Sequence, residues 1–112
     1  MTDFEIIKKI KETKETMFKS FTSGLKAIVE RLENGENPSM TFIQMFVNSN
    51  RTLYLSTIYE IYESIIEEYS NFSEEAGKEK AFEMFVSADL YEDLVEAIEY
   101  HEIFSKRRLR MK

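Results

Sequence analysis

Only two stretches of the chain, NGENPS at residues 34–39 and SNFS at residues 70–73, clearly interrupt an apolar rhythm of helical period that otherwise runs nearly from end to end. The 112 residues hold three glycines and one proline, so little else in the sequence can stop a helix. The fold class follows from this. The chain is expected to be all-α, an antiparallel helical bundle of three long helices or of four to five shorter ones.

Within residues 3–33, Ile7, Ile10, Met17, Phe21, Leu25, Ile28 and Leu32 recur at three-, four- and seven-residue steps and form one stripe. Thr2 followed by Glu5 fits a capping box, and Asn34-Gly35 supplies residues that tolerate a left-handed C-terminal turn. Lys14, inside the repeat KETKET, stands where the stripe expects an apolar side chain, which marks a weak point or a bend. The second helix is expected over residues 38–71, with Asn37 as its cap and Pro38 in its first turn. Its apolar positions include Ile43, Phe46, Val47, Tyr54, Ile58, Tyr62, Ile65 and Tyr69. The triplet NSN at residues 48–50 favours bonds between side chain and backbone, so a kink is expected near Asn50. Ser73 caps a third helix whose early Glu74 and Glu75 suit the positive end of the helix dipole. Phe82, Phe85, Val86, Leu90, Leu94, Val95, Ile98 and His101 mark its buried face. A restart near Ser87 divides it into segments 74–86 and 88–107.

Length limits how these helices can be assembled. A helix of 31 to 34 residues is ~45 to 50 Å long, whereas a compact domain of this size has a radius of gyration near ~13 Å. Either the helices bend at KETKET, NSN and SAD into a squat bundle, or they stay straight and overhang it. Overhanging ends would leave apolar surface for a second chain, and nine phenylalanines and six tyrosines are a generous supply for one small core. A homo-oligomer, most simply a dimer, is therefore expected. Residues 1–105 form the single helical domain, and residues 106–112 form a basic tail.

Charge is distributed unevenly about the overall value of -6. Residues 1–33 carry a net +1 and residues 34–58 are neutral, but residues 59–105 hold fourteen acids and two bases, a net -12. Lys106, Arg107, Arg108, Arg110 and Lys112 then return +5. An acidic helical face is in the first instance a solvated surface. In its functional reading it meets a basic partner, and the candidate contact residues are Tyr59, Glu63, Glu67, Glu92, Glu96 and Glu99. The five basic tail residues are the candidates for contact with nucleic acid or with an acidic protein surface. As a bland alternative, they are cations favourably placed at a helix C-terminus.

The sequence points away from most chemistry. There is no cysteine, and the single histidine, His101, lies three residues after Ile98 and not after a glutamate, so the Glu-x-x-His pairs of a di-iron bundle are missing. Gly24, Gly35 and Gly77 are isolated and make no phosphate-cradling loop. No nucleophile elbow is present, and the many paired carboxylates lie on helix surfaces without an evident cleft. A helix-turn-helix reading of KEKAFEMFVSADLYEDLVEAI would place Asp89, Glu92, Asp93 and Glu96 against phosphates, which repel them. No cofactor, metal or catalytic residue is expected. The N-terminus lacks the apolar core of a signal peptide, and no apolar run nears the ~20 residues of a membrane span. The expected place is the cytoplasm, of a cell or of an infected host. The expected function is a non-enzymatic protein-interaction module: an inhibitor, adaptor or assembly subunit. The alternatives are a nucleic-acid-associated subunit using the tail, or a structural subunit of a larger assembly.

Overall fold

The computed structural model describes residues 2–71 and 73–110, with side chains as far as Ser105. Four helices follow one another: α1 (Asp3–Glu33), α2 (Met40–Tyr69), α3 (Glu74–Ser87) and α4 (Tyr91–Arg110). No strand occurs among the described residues. The all-α bundle is thus the architecture, with two long helices and two shorter ones.

Local chemistry sets most of the boundaries. The Thr2 hydroxyl accepts from the Glu5 amide at 3.2 Å, and the Ser73 hydroxyl accepts from the Ala76 amide at 3.1 Å. At the end of α1, the Gly35 amide donates to the Leu32 carbonyl and the Glu36 amide to the Arg31 carbonyl, with Gly35 at a φ of +84°. This is the left-handed helix stop for which glycine is suited. The start of α2 departs from expectation. Its cap is Ser39, which accepts from the Phe42 amide, so Asn37 and Pro38 lie in the connection and the helix runs 40–69 instead of 38–71.

Neither long helix is interrupted at the points where a break is expected. At Asn50 the side-chain amide donates to the Phe46 carbonyl at 2.8 Å, one turn back along α2. The side chain that competes with helix elsewhere is used here within it. Thr13 does the same toward Lys9, and α1 passes unbroken through KETKET. The expected break at SAD does occur. There the Asp89 amide donates to the Val86 carbonyl and the Leu90 amide to the Phe85 carbonyl, with Asp89 at a φ of 59°. This repeats the stop seen at Gly35, with aspartate in glycine's place. Buried Phe85 and Leu90 flank the turn, as in the hydrophobic closure of this motif.

One continuous core collects Ile6 and Ile10 from α1, Leu55, Ile58, Tyr62 and Ile65 from α2, Ala81, Met84 and Phe85 from α3, and Leu94 and Ala97 from α4. All of α2's share comes from its second half. Helix α3 runs antiparallel to that half, with Gly77 against Ile66 and Phe82 against Tyr62. Helix α4 crosses α2 nearer its middle: Asp93, Glu96, Tyr100 and His101 meet Tyr54, Arg51, Thr52 and Tyr59, an order that fits no side-by-side register. Two sequence expectations fail because of this geometry. His101 lies at the edge of the crossing and is exposed, and Val86, on the outer side of α3, is 59% exposed. On α1, Ile6 is the buried residue and Ile7 only packs beside it.

Because α3 and α4 are short, they cover only part of the α1–α2 hairpin. The rest projects as a two-helix arm, and the molecule measures 60 × 39 × 19 Å with a radius of gyration of 17.4 Å, well beyond the ~13 Å of a compact chain this long. The shape is elongated, with the first two helices long and uninterrupted but the third divided at SAD, so the fold combines features of both alternatives.

Candidate functional site

Two surfaces combine polar or aromatic groups in a way that fits recognition. The first lies where α2, α3 and α4 meet. Tyr59 is half-buried, and its ring stacks on His101 at 3.9 Å between centroids and 10° between planes. Glu63 follows one turn later on α2 and Glu67 another turn on. Glu74 from α3 and Glu102 from α4 line the same shallow cleft, floored by Tyr62, Ile66 and Ile98, with Lys78 at its margin. Burial, together with the nearby Glu63 and Glu102 carboxylates, pushes the Tyr59 hydroxyl above the usual tyrosine range. Tyr62 is raised in the same way, by burial first and then by Tyr59, Glu74 and Glu75. Both rings therefore stay neutral donors beside a concentration of negative charge.

Of the six residues singled out from the sequence, the structure brings Tyr59, Glu63 and Glu67 together here. It places the other three elsewhere. Glu96 is paired with Arg51 across the α2–α4 crossing, while Glu92 and Glu99 are exposed on the outward side of α4. The sequence reading missed Glu74 and Glu102, which arrive from different helices. The place of Glu74 in the first turn of α3 was its only local signal. Of Lys106, Arg107, Arg108, Arg110 and Lys112, only the helical backbone of the first four is described, as α4 continues to Arg110; their side chains, and Lys112 altogether, lie outside the described residues.

The second surface is the base of the arm. A groove of about 250 Å³ runs between α1 and α2, lined by Met17, Phe18, Phe21, Val47 and Tyr54. It is closed at one end by charge. Lys14, the residue that interrupts the apolar stripe, places its ammonium 3.2 Å from the Asp93 carboxylate, and the Tyr54 hydroxyl donates to the same carboxylate. Arg51 and Glu96 pair alongside. Burial, the bond to Asp93 and the neighbouring Glu96 raise the Tyr54 pKa strongly. Lys14 is thus part of a polar clasp that fixes the start of α4 against the hairpin. A similar clasp holds the N-terminal end of α1: Asp3 accepts from Tyr69 at 2.7 Å and pairs with Lys80. Those bonds hold the Asp3 carboxyl below the usual range and raise both Tyr69 and Lys80.

Among the described residues no polar or charged side chain is buried, no group of three or more acidic, histidine or cysteine side chains is arranged to hold a metal ion, and no helix is long and apolar enough to cross a membrane. Comparison with protein-family models, with curated proteins and with solved structures finds no match to this chain.

Proposed function

We propose that the chain is a non-enzymatic protein-interaction module that presents the tyrosine-bearing acidic cleft of α2, α3 and α4 to a basic partner protein, as an inhibitor, adaptor or assembly subunit. The observation that carries this reading is the convergence of Glu63, Glu67, Glu74 and Glu102 on one cleft that Tyr59 and Tyr62 also line, with Lys78 as the one cation lining it among the described residues. The potential of such a cleft steers a cationic surface toward it and rejects an anionic one. Rigid aromatic rings held among the carboxylates add contact area at little entropic cost, as recognition surfaces require.

The test is the triple charge reversal Glu63→Lys, Glu67→Lys, Glu102→Lys. All three side chains are exposed, so the fold should survive. Proteins captured from the natural host by the wild-type chain should be basic, should elute at moderate salt and should be missing from the variant. Capture of the same set by the variant, or capture that resists salt, refutes the assignment.

A further inference from the structure

Beyond the core, the arm leaves a continuous apolar face that its own two helices do not cover. Of the thirteen large apolar side chains exposed among the described residues, eight lie between Phe18 and Leu53; Phe42, Met45 and Leu53 are on the far side of α2, and the other five share one side of the hairpin. On α1, Phe18, Leu25, Val29 and Leu32 follow at steps of seven, four and three residues; on α2, Met40, Ile43, Val47 and Tyr54 follow at three, four and seven. In an antiparallel hairpin these mirrored steps set two parallel ridges on one side, with the Phe21–Phe46 stack between them and the groove at their base. Phe18 and Met40 are each 68% exposed, Val29 50%, Leu32 48% and Val47 39%. At ~150–200 Å² per large side chain, these five alone expose roughly 500 Å², toward the upper end of the ~300–600 Å² of the largest apolar patch on a typical monomer, a size at which such patches are often interaction surfaces.

We propose that a second copy of this chain covers that face, arm against arm and antiparallel, so that the two hairpins close into a four-helix bundle with the heads at opposite ends. Three observations select this occupant. The area fits: roughly 500 Å² of apolar surface in an interface about two-thirds apolar corresponds to ~800 Å² per partner, the size of a standard specific contact. The charge also fits, because residues 17–53 carry four bases and three acids, net +1, against -12 for residues 59–105. A neutral arm accepts its own copy, and the antiparallel arrangement keeps the two acidic heads roughly 30 Å apart along the arm, about four Debye lengths of ~8 Å. An anionic membrane would have to accept that head as well. The length is matched too. The Lys14–Asp93 clasp ends the groove, so the overlap spans Phe18 to Leu32 and the two-fold axis falls beside Leu25.

This goes beyond the acidic-cleft reading and does not depend on it, since the triple charge reversal leaves the arm untouched. Sedimentation equilibrium of the full chain should give twice the 13.3 kDa monomer mass at micromolar concentration. V29E combined with V47E should weaken the dimer at least a hundredfold while helical circular dichroism is retained. The chain has no cysteine, so single thiols report geometry. Leu25→Cys should cross-link to itself, whereas Phe18→Cys should cross-link to Leu32→Cys but not to itself. A monomer at a hundred micromolar, a V29E/V47E variant that remains dimeric, or self-cross-linking at Phe18→Cys each overturns the proposal. So does a monomeric chain that floats with phosphatidylserine vesicles, which would give the face to a lipid surface.

Discussion

Replacing Gly77 by alanine sets two effects of opposite sign against each other. Gly77 is an interior residue of α3, and in a helix alanine is favoured over glycine by ~1 kcal/mol, partly because glycine leaves more freedom to the unfolded chain. At an open site the substitution would therefore stabilise the protein. Here a methyl group would lie 2.7 Å from the Ile66 carbonyl oxygen, 3.0 Å from Ile66 Cα and 3.2 Å from its Cγ2. The first two are backbone atoms of α2, so no rotamer change can make room. The helices must part by ~0.5–1 Å to reach ordinary contact, and Ala81, Phe85 and Ile65 lose part of their packing as they do. Overpacking of this kind costs ~1–3 kcal/mol, which leaves a net loss of up to ~2 kcal/mol, at about 4–8 °C in melting temperature per kcal/mol for a domain near this size. Urea and thermal unfolding followed by circular dichroism measure it, and Gly24→Ala serves as the contrast. There the added methyl would meet the Phe46 ring at 2.3 Å, but a ring edge in the partly exposed arm can turn aside. The change at Gly24 should fall within ~1 kcal/mol of neutral, because propensity and the lost Phe21 stack offset each other. A Gly77→Ala protein more stable than the wild type would refute the close approach of α2 and α3.

Asp89→Gly should stabilise the protein by ~0.5–1 kcal/mol, read as a higher urea midpoint with an unchanged slope, because aspartate occupies a left-handed conformation there that glycine adopts without steric cost; a lower midpoint would mean that the aspartate side chain supports the turn. At the clasp, Asp93→Ala leaves the Tyr54 hydroxyl without its acceptor and should cost ~1–2 kcal/mol, whereas Lys14→Met removes one partly exposed ion pair and should cost under ~1 kcal/mol. Equal losses at the two sites, read from the same urea curves, would contradict the assigned roles. Alkaline pH tests the tyrosines. Tyr54, Tyr59, Tyr62 and Tyr69 are all raised in the fold, so their contribution is complete below the unfolded value of about 10 and is lost as pH climbs through their folded values. With no tryptophan in the chain, absorbance at 295 nm follows tyrosinate directly. Part of that rise should come well above pH 10 and together with loss of helix, and a complete titration at the ordinary value with the helices intact would refute the environments described.

What the sequence made legible was whatever depends on neighbours within one turn. Thr2, Gly35 and Ser73 act on amides and carbonyls a few residues away, and each does what its type and position suggest. The misplaced start of α2 belongs to the same scale: Asn37, Pro38 and Ser39 all suit a helix N-terminus, and only the geometry selects Ser39. Lys14 could not be understood locally, because its partner Asp93 lies 79 positions later and the stripe it interrupts records only α1. His101 has apolar spacing but faces an edge, since periodicity says which side of α4 is apolar and not the angle at which α4 crosses α2. The candidate cleft divides in the same manner. Tyr59, Glu63 and Glu67 share one side of one helix and could be grouped from spacing. Glu74 and Glu102 required the fold, and Arg51 withdraws Glu96 from the group through a contact 45 residues distant.

The mismatch between a hairpin of two long helices and the two short ones packed on it makes the arm an independent dimension of the molecule. Among the described residues, the core that α3 and α4 share with the hairpin does not include Phe21, Gly24 or Phe46, so length there is not tied to it. Removing seven residues from each side of the hairpin in register would retract the tip by ~10 Å while leaving the head as it stands. The chain thus carries its acidic head on a ruler, whose graduations are helical turns and whose reach can change by paired insertions or deletions without refolding what it bears.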